Sequence, residues 1–447
     1  MPSPRPAPSR RTSSRPLARA ALLPGRTSSW PLLRAASLPP RRTSSRPLAR
    51  AALLLLLVAG ACSGEGAEQT VDRPYEGVAY PVRPPVAALP AAPWALVTNN
   101  GSDALTLIEL GTRRVLPPVP IGLYPVERDG PHHLAFDRAR MQIYVAMTFP
   151  RAEGAPGSHA SHGTGVAFGK VARLGLPNFD LLGTSSVGPN PGDLALGADG
   201  ARLVVTHFDL ETARAQDPAQ RKAEVYVYDD ASALSLASTP RIVRPCVAPH
   251  AVALEGPSAR RAWVACYGDD RVVALDLDAP GVPVAVSLDL GPTPAPPGVP
   301  RFGPYSATLS PAGDRLLVGT IETERVLVEV DLATTAMRPI YRSEGAVFFP
   351  AYAPDGRTAF VPTQAPDRVL KIDTATGVVL AERTLAAAEC QRPHEAVFVA
   401  SLGEPWLLCE GDQKGPGLAL ALDPDTLATR ASIATGVYPD RLVVVEP

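Results

Sequence analysis

The chain has 447 residues, with 43 Lys+Arg against 44 Asp+Glu and a formal net charge of -1. That balance gives bulk charge no role in holding nucleic acid or an anionic membrane. A hydrophobic content of 45% excludes wholesale disorder, while 51 prolines and only 19% charged residues weigh against a long-helix or coiled-coil protein.

The charge is unevenly spread. Residues 1–61 hold eleven Arg, no Lys and no acid. Within them an Arg-Thr-Ser-Ser phrase begins at Arg11, Arg26 and Arg42, each followed by an Ala/Leu stretch. Only the third stretch continues, from Ala51 to Ala61, so basic residues are followed by an apolar run and then small residues. That is the pattern of a secretion signal, too short for a comfortable transmembrane helix. Cys62 follows Ala59-Gly60-Ala61 directly, and the segment resembles a bacterial lipobox, although Leu is usual where Ala59 stands. In such a segment the cysteine is acylated and becomes the mature N-terminus. Ordinary cleavage beside a stray cysteine is the alternative. The expected organisation is a leader over 1–61, a tether over 62–90 and one body over 91–447. Ser63 after the cysteine resembles lipoproteins sent to the outer membrane, facing the periplasm or the cell surface. Without the leader the chain carries 32 basic residues against 44 acidic ones, a net of -12. The expected partners are the membrane through lipid, and a protein, glycan or small ligand, with the acidic balance favouring cationic or neutral partners on the loop face and no nucleic acid.

The body repeats. Its clearest unit runs from Pro304 to Asp331: an alternating strand, a Pro311-Ala312-Gly313-Asp314 turn, a second apolar strand, an acidic loop, and a third strand ending in Asp331. Equivalents of Pro304 stand at Pro131, Pro191, Pro249, Val347, Pro393 and Pro439, giving a period in the mid-forties with insertions in the early copies. Four short strands per such period describe a propeller blade. The last copy, from Tyr438, contributes a first strand, and the body begins at Trp94 with a second. Joined, they complete one blade, because a ring has no free sheet edge to protect. The expected fold is all-β, a seven-bladed β-propeller of four-stranded antiparallel blades, the last closed by the N- and C-terminal strands.

Leu96-Val97-Thr98-Asn99-Asn100, with Ser102-Asp103-Ala104-Leu105-Thr106, and the Pro-Asp-Gly-Arg turn ending at Arg357 resemble the YVTN-type seven-bladed propellers of bacterial surface and periplasmic proteins. The resemblance spans about 94–447. It implies an extracytoplasmic propeller and no single reaction, since such folds serve binding proteins, surface-layer proteins, lactonases and redox partners.

Propeller topology sorts the loops, and all seven histidines fall on one face. His132, His133, His250 and His394 follow the aligned proline; Asp440 occupies the column of His132, His250 and His394, and Gly192, Tyr305 and Phe348 fill its other places. His207 ends a second strand, and His159 and His162 lie in a Gly-rich insertion. His132, His250, His394, Asp440 and His207 are the ligand-binding candidates. For a divalent metal, the only cofactor considered, the candidates are His132, His250, His394, His159 and His162. The alternative is that Pro-His is a repeat-derived turn element with its imidazole on a neighbouring backbone.

Cys246-x-x-Pro249 is matched by Cys390-x-x-Pro393, and Trp263-x-x-Cys266 by Trp406-x-x-Cys409. Each pair ends neighbouring antiparallel segments on one face, which predicts disulfides Cys246–Cys266 and Cys390–Cys409. The rival, a Cys/His metal site, lacks a tight Cys-x-x-Cys pair. The acidic residues of the loops between second and third strands, among them Asp103, Asp209, Asp269, Asp270, Asp367 and Asp412, form either a cation-binding rim or a set of turn caps. The glycines of Gly163–Gly169 lack phosphate-loop spacing, and no haem-attachment motif or nucleophile elbow appears. No catalytic residue is assigned. The function expected is a binding or interaction protein working through the His- and acid-rich face. The alternatives are a metal-assisted lactonase-type hydrolase and a docking partner of a periplasmic redox enzyme.

Overall fold

In the computed structural model, the described residues are Leu89, 92–124, 128–149, 167–292 and 296–447. Cys62, His159, His162, the leader 1–61 and the tether, save Leu89, lie outside them. Seven antiparallel sheets follow one another along the chain. One complete blade, Pro249–Glu255, Arg261–Cys266, Arg271–Asp276 and Val284–Asp289, shows the plan, with consecutive strands paired side by side. The closing blade sets Pro439–Val445 beside Trp94–Asn99, with Trp94 opposite Val445 and Asn99 opposite Pro439. The ring is therefore closed by hydrogen bonds between the two ends of the body.

Burial follows strand position. Second strands such as Trp94–Asn99 and Glu404–Cys409 are buried throughout, because blades pack on both of their faces. Outer strands such as Val378–Thr384 alternate exposed and half-buried residues. Trp263 and Trp406 fill equivalent places between blades, and both are fully buried.

Two local devices shape the start of each inner strand. The residue before the aligned proline has a left-handed backbone at Gly130, Asn190, Ala248, Gly303, Arg392 and Tyr438. Non-glycine residues rarely take that conformation, so the surroundings must hold it. Acidic side chains help to do so: Asp103, Asp270 and Asp367 accept the amide N–H of Gly130, Gly303 and Arg392 at 2.9, 2.8 and 2.9 Å.

The second device is a bulge after the proline. Pro131 lies opposite Met147 and Leu134 opposite Val145, so three steps on one strand match two on the other. The same offset occurs at Pro191, Pro249 and Pro439. A bulge breaks strict alternation and re-aims side chains.

The disulfides Cys246–Cys266 and Cys390–Cys409 are both formed, with Cα separations of 5.8 and 5.4 Å. Each staples the segment leaving one blade to the second strand of the next. No helix among the described residues is long and apolar enough to cross a membrane.

Candidate functional site

The bulges place two successive residues of each inner strand toward the propeller axis. Their first layer contains His132, His250, Tyr305, Phe348, His394 and Asp440. The second contains His133, Asp193, Phe349, Glu395 and Arg441. His132, His133, His250, His394 and Asp440 are all buried. The ring centres of His132 and His133 lie 4.3 Å apart, and His250 lies 6.2 and 6.0 Å from them. His250 stacks on Tyr305 at 3.6 Å, and Phe349 stands 5.4 Å from both His133 and His394.

Each imidazole is held through Nδ1. His132 meets the Asp440 carboxylate, and His133 meets Asp193 Oδ1 at 2.5 Å. His250 and His394 bond the backbone carbonyls of Tyr305 and Asp440 at 2.7 and 2.8 Å. Burial holds His133 and His250 well below the usual histidine range, and the neighbouring imidazoles, with Arg441 at His133, act in the same direction. Burial likewise raises Asp193, although the amides of Leu194 and Val252 bond its carboxylate.

Beyond this plug the channel widens into a cavity of about 450 Å³ walled by Val252, Leu309, Ala351, Val397 and Val443. Glu395 and Arg441 stand at its head, paired at 2.9 Å. Burial pushes Glu395 up to about 7, against the opposing pull of Arg441.

His207 lies elsewhere. Its Nδ1 bonds the Glu224 carbonyl at 2.8 Å, which turns the ring along its own blade and against Tyr226. There it lines a groove of about 460 Å³ with Phe168, Asp209, Lys222, Glu224 and Arg244. Phe168 is 69% exposed, and Arg244 bonds Glu224. Lys222 is exposed and has no ion-pair partner among the described residues. The groove thus combines an apolar ring, an exposed ammonium and a hydrogen-bonding wall that includes the Asp209 and Glu224 carboxylates.

The structure brings together four of the five ligand candidates, His132, His250, His394 and Asp440, and sets His207 apart. Three of the five metal candidates, His132, His250 and His394, stand at the axis, while His159 and His162 are outside the described residues. His133, Asp193, Glu395 and Arg441 were absent from the candidate set. A charged or imidazole residue two places after the aligned proline, inside an otherwise apolar strand, was the available signal. The acidic loops act as caps: Asp270 accepts the amides of Arg301, Phe302 and Gly303, Asp269 that of Val247, and Asp209 that of Thr212.

No family model matches the chain, and no curated protein matches it. Among solved structures, it is similar to a protein from Bacteroides uniformis provisionally described as a 6-phosphogluconolactonase, at 12% identity over 79% of this chain and 99% of that one, with a TM-score of 0.57. It is also similar to the periplasmic gluconolactonase of Pseudomonas aeruginosa, at 17% identity over 79% and 99%, TM-score 0.55. A third likeness is to the dihydro-heme d1 dehydrogenase NirN, at 17% identity over 81% and 79%, TM-score 0.50. At these identities the likeness shows the fold alone, the propeller already described.

Proposed function

We propose that this protein is an extracytoplasmic binding protein of the YVTN type, lipid-anchored at Cys62, that captures a small anionic ligand in the groove beside His207. The observation that carries this reading is the exposed Phe168 beside Lys222, which has no ion-pair partner among the described residues, at the rim of a groove of about 460 Å³. An aromatic ring supplies apolar contact to a sugar or acyl body, and the ammonium neutralises a carboxylate or phosphate. Two disulfides suit an oxidising compartment, and the net charge of -12 outside the leader gives nucleic acid no electrostatic hold.

A second reading, metal-assisted lactone hydrolysis, is favoured by the lactonase descriptions of two similar structures. One experiment separates the two. The protein is screened by thermal shift against sugar acids, their lactones and phosphosugars, and lactone hydrolysis is followed in parallel. Capture predicts a rise in Tm with an anionic member of the panel, lost in Lys222→Ala and Phe168→Ala, and hydrolysis at background. Lactone turnover that survives both substitutions would favour the hydrolase and reject the groove as the working site.

A further inference from the structure

The axial histidines take no part in the groove, yet they are arranged as metal ligands are. An imidazole that binds a metal through one nitrogen commonly gives its other N–H to a carboxylate or a carbonyl, which fixes the tautomer. His250 and His394 each direct Nδ1 at a backbone carbonyl, which only accepts. His133 directs Nδ1 at Asp193, whose oxygens also accept the Leu194 and Val252 amides at 2.7 and 3.0 Å. Nδ1 therefore carries the proton in all three, and Nε2 holds the lone pair. His133 Nε2 is fully buried and has no hydrogen-bond partner among the described residues. Leaving a buried polar atom without a partner is unfavourable, and an ion would remove that cost.

The donors also converge. One donor atom each from His132, His133 and Asp440 lies within 4.8 Å of the other two. An ion about 2.1 Å from each donor needs donor separations of roughly 3–4 Å, so loading requires the direct His132–Asp440 contact to open and the ion to enter between these two side chains and His133. His250 is the nearest further imidazole. Imidazole nitrogens with a carboxylate suit zinc or copper(II), whereas calcium and magnesium take oxygen-rich sites.

We propose that the propeller axis binds one zinc or copper(II) ion through His132, His133 and Asp440, with Asp193 as the positioning residue for His133. This goes beyond the groove reading and stands or falls without it.

The test uses metal-stripped protein offered Zn²⁺ or Cu²⁺ both folded and during refolding, because the donors are enclosed. Metal content after gel filtration and the shift in Tm are measured for the native chain, His133→Gln, Asp440→Asn, Asp193→Asn and a distant control, His207→Gln. The expected result is one ion per chain with a raised Tm. Binding is lost in His133→Gln and Asp440→Asn, weakened about 10–100-fold in Asp193→Asn, and kept in His207→Gln. Circular dichroism identifies any variant that fails to fold, in which case Asp193→Asn carries the comparison. A native chain that retains well under one ion, or one whose ion is held equally by the folded variants, overturns the proposal.

Discussion

The rings of His132 and His133 lie 4.3 Å apart at the propeller axis, although successive residues of a strand ordinarily face opposite ways. The bulge between Pro131 and Leu134 is the cause, since the extra residue turns both side chains inward. The same offset at Pro191 and Pro439 brings Asp193 and Arg441 to the axis. A repeat-wide backbone feature has therefore doubled the number of side chains that the channel can present.

The disulfides close segments with sequence separations of 20 and 19 residues. Constraint of the unfolded chain is worth roughly 3 kcal/mol for each in the chain-entropy treatment. Replacing either pair by alanine should lower the urea-derived stability by about that amount. The two losses should add, because the staples belong to different blades. A loss confined to one pair would show that the other closes no effective constraint.

Asp270 tests the structural reading of the acidic loops. Its carboxylate accepts three successive amides, from Arg301, Phe302 and Gly303, at 2.7, 2.9 and 2.8 Å. Asp270→Ala should cost about 2–3 kcal/mol and speed hydrogen exchange at those amides. Added calcium should leave the Tm of the native chain unchanged. A calcium-dependent rise abolished by Asp270→Ala would restore the cation-binding rim.

The architecture was legible because it is written seven times. The apolar strands opened by the aligned proline and the Gly/Asp turns recur, so errors in one copy are corrected by the others, and the complementary end strands close the ring once. The cysteine pairs were legible for the same reason: Cys246 and Cys390 share one repeat position, and Cys266 and Cys409 another. The axial site was half legible. The column of His132, His250, His394 and Asp440 follows from the alignment, but strict alternation would send His133, Asp193, Glu395 and Arg441 the other way, and only the bulge turns these polar residues to the axis. His207 was grouped with the axis by its face. Its hydrogen bond to the Glu224 carbonyl, which only three dimensions disclose, turns it into the groove instead.

His207 also gives the protein a pH dependence. Burial lowers it to about 4, against the opposing effects of the Glu224 carbonyl and Asp209, with Tyr226 packed on its ring. An ordinary histidine in the unfolded chain titrates near 6.5. Between these values the unfolded state binds the proton and the folded state does not. Stability is thus fully present above about pH 6.5 and falls as the pH drops toward 4, by up to about 3 kcal/mol. His207→Phe should reduce that slope in denaturation curves between pH 7 and 4.5 without abolishing it, since the lowered His133 and His250 contribute in the same direction. An unchanged slope would mean that the imidazole is already protonated or solvated in the folded state.

Capture of an anion beside Phe168 and Lys222 is tested most directly by isothermal titration of the native protein and Lys222→Ala with the best ligand of the thermal-shift panel. The expected result is one site per chain, an affinity that falls with added salt, and a loss of at least about tenfold in the variant, as removal of a charge-assisted contact implies. Equal affinity in the two proteins, or saturation at a different stoichiometry, would contradict the assignment of the groove.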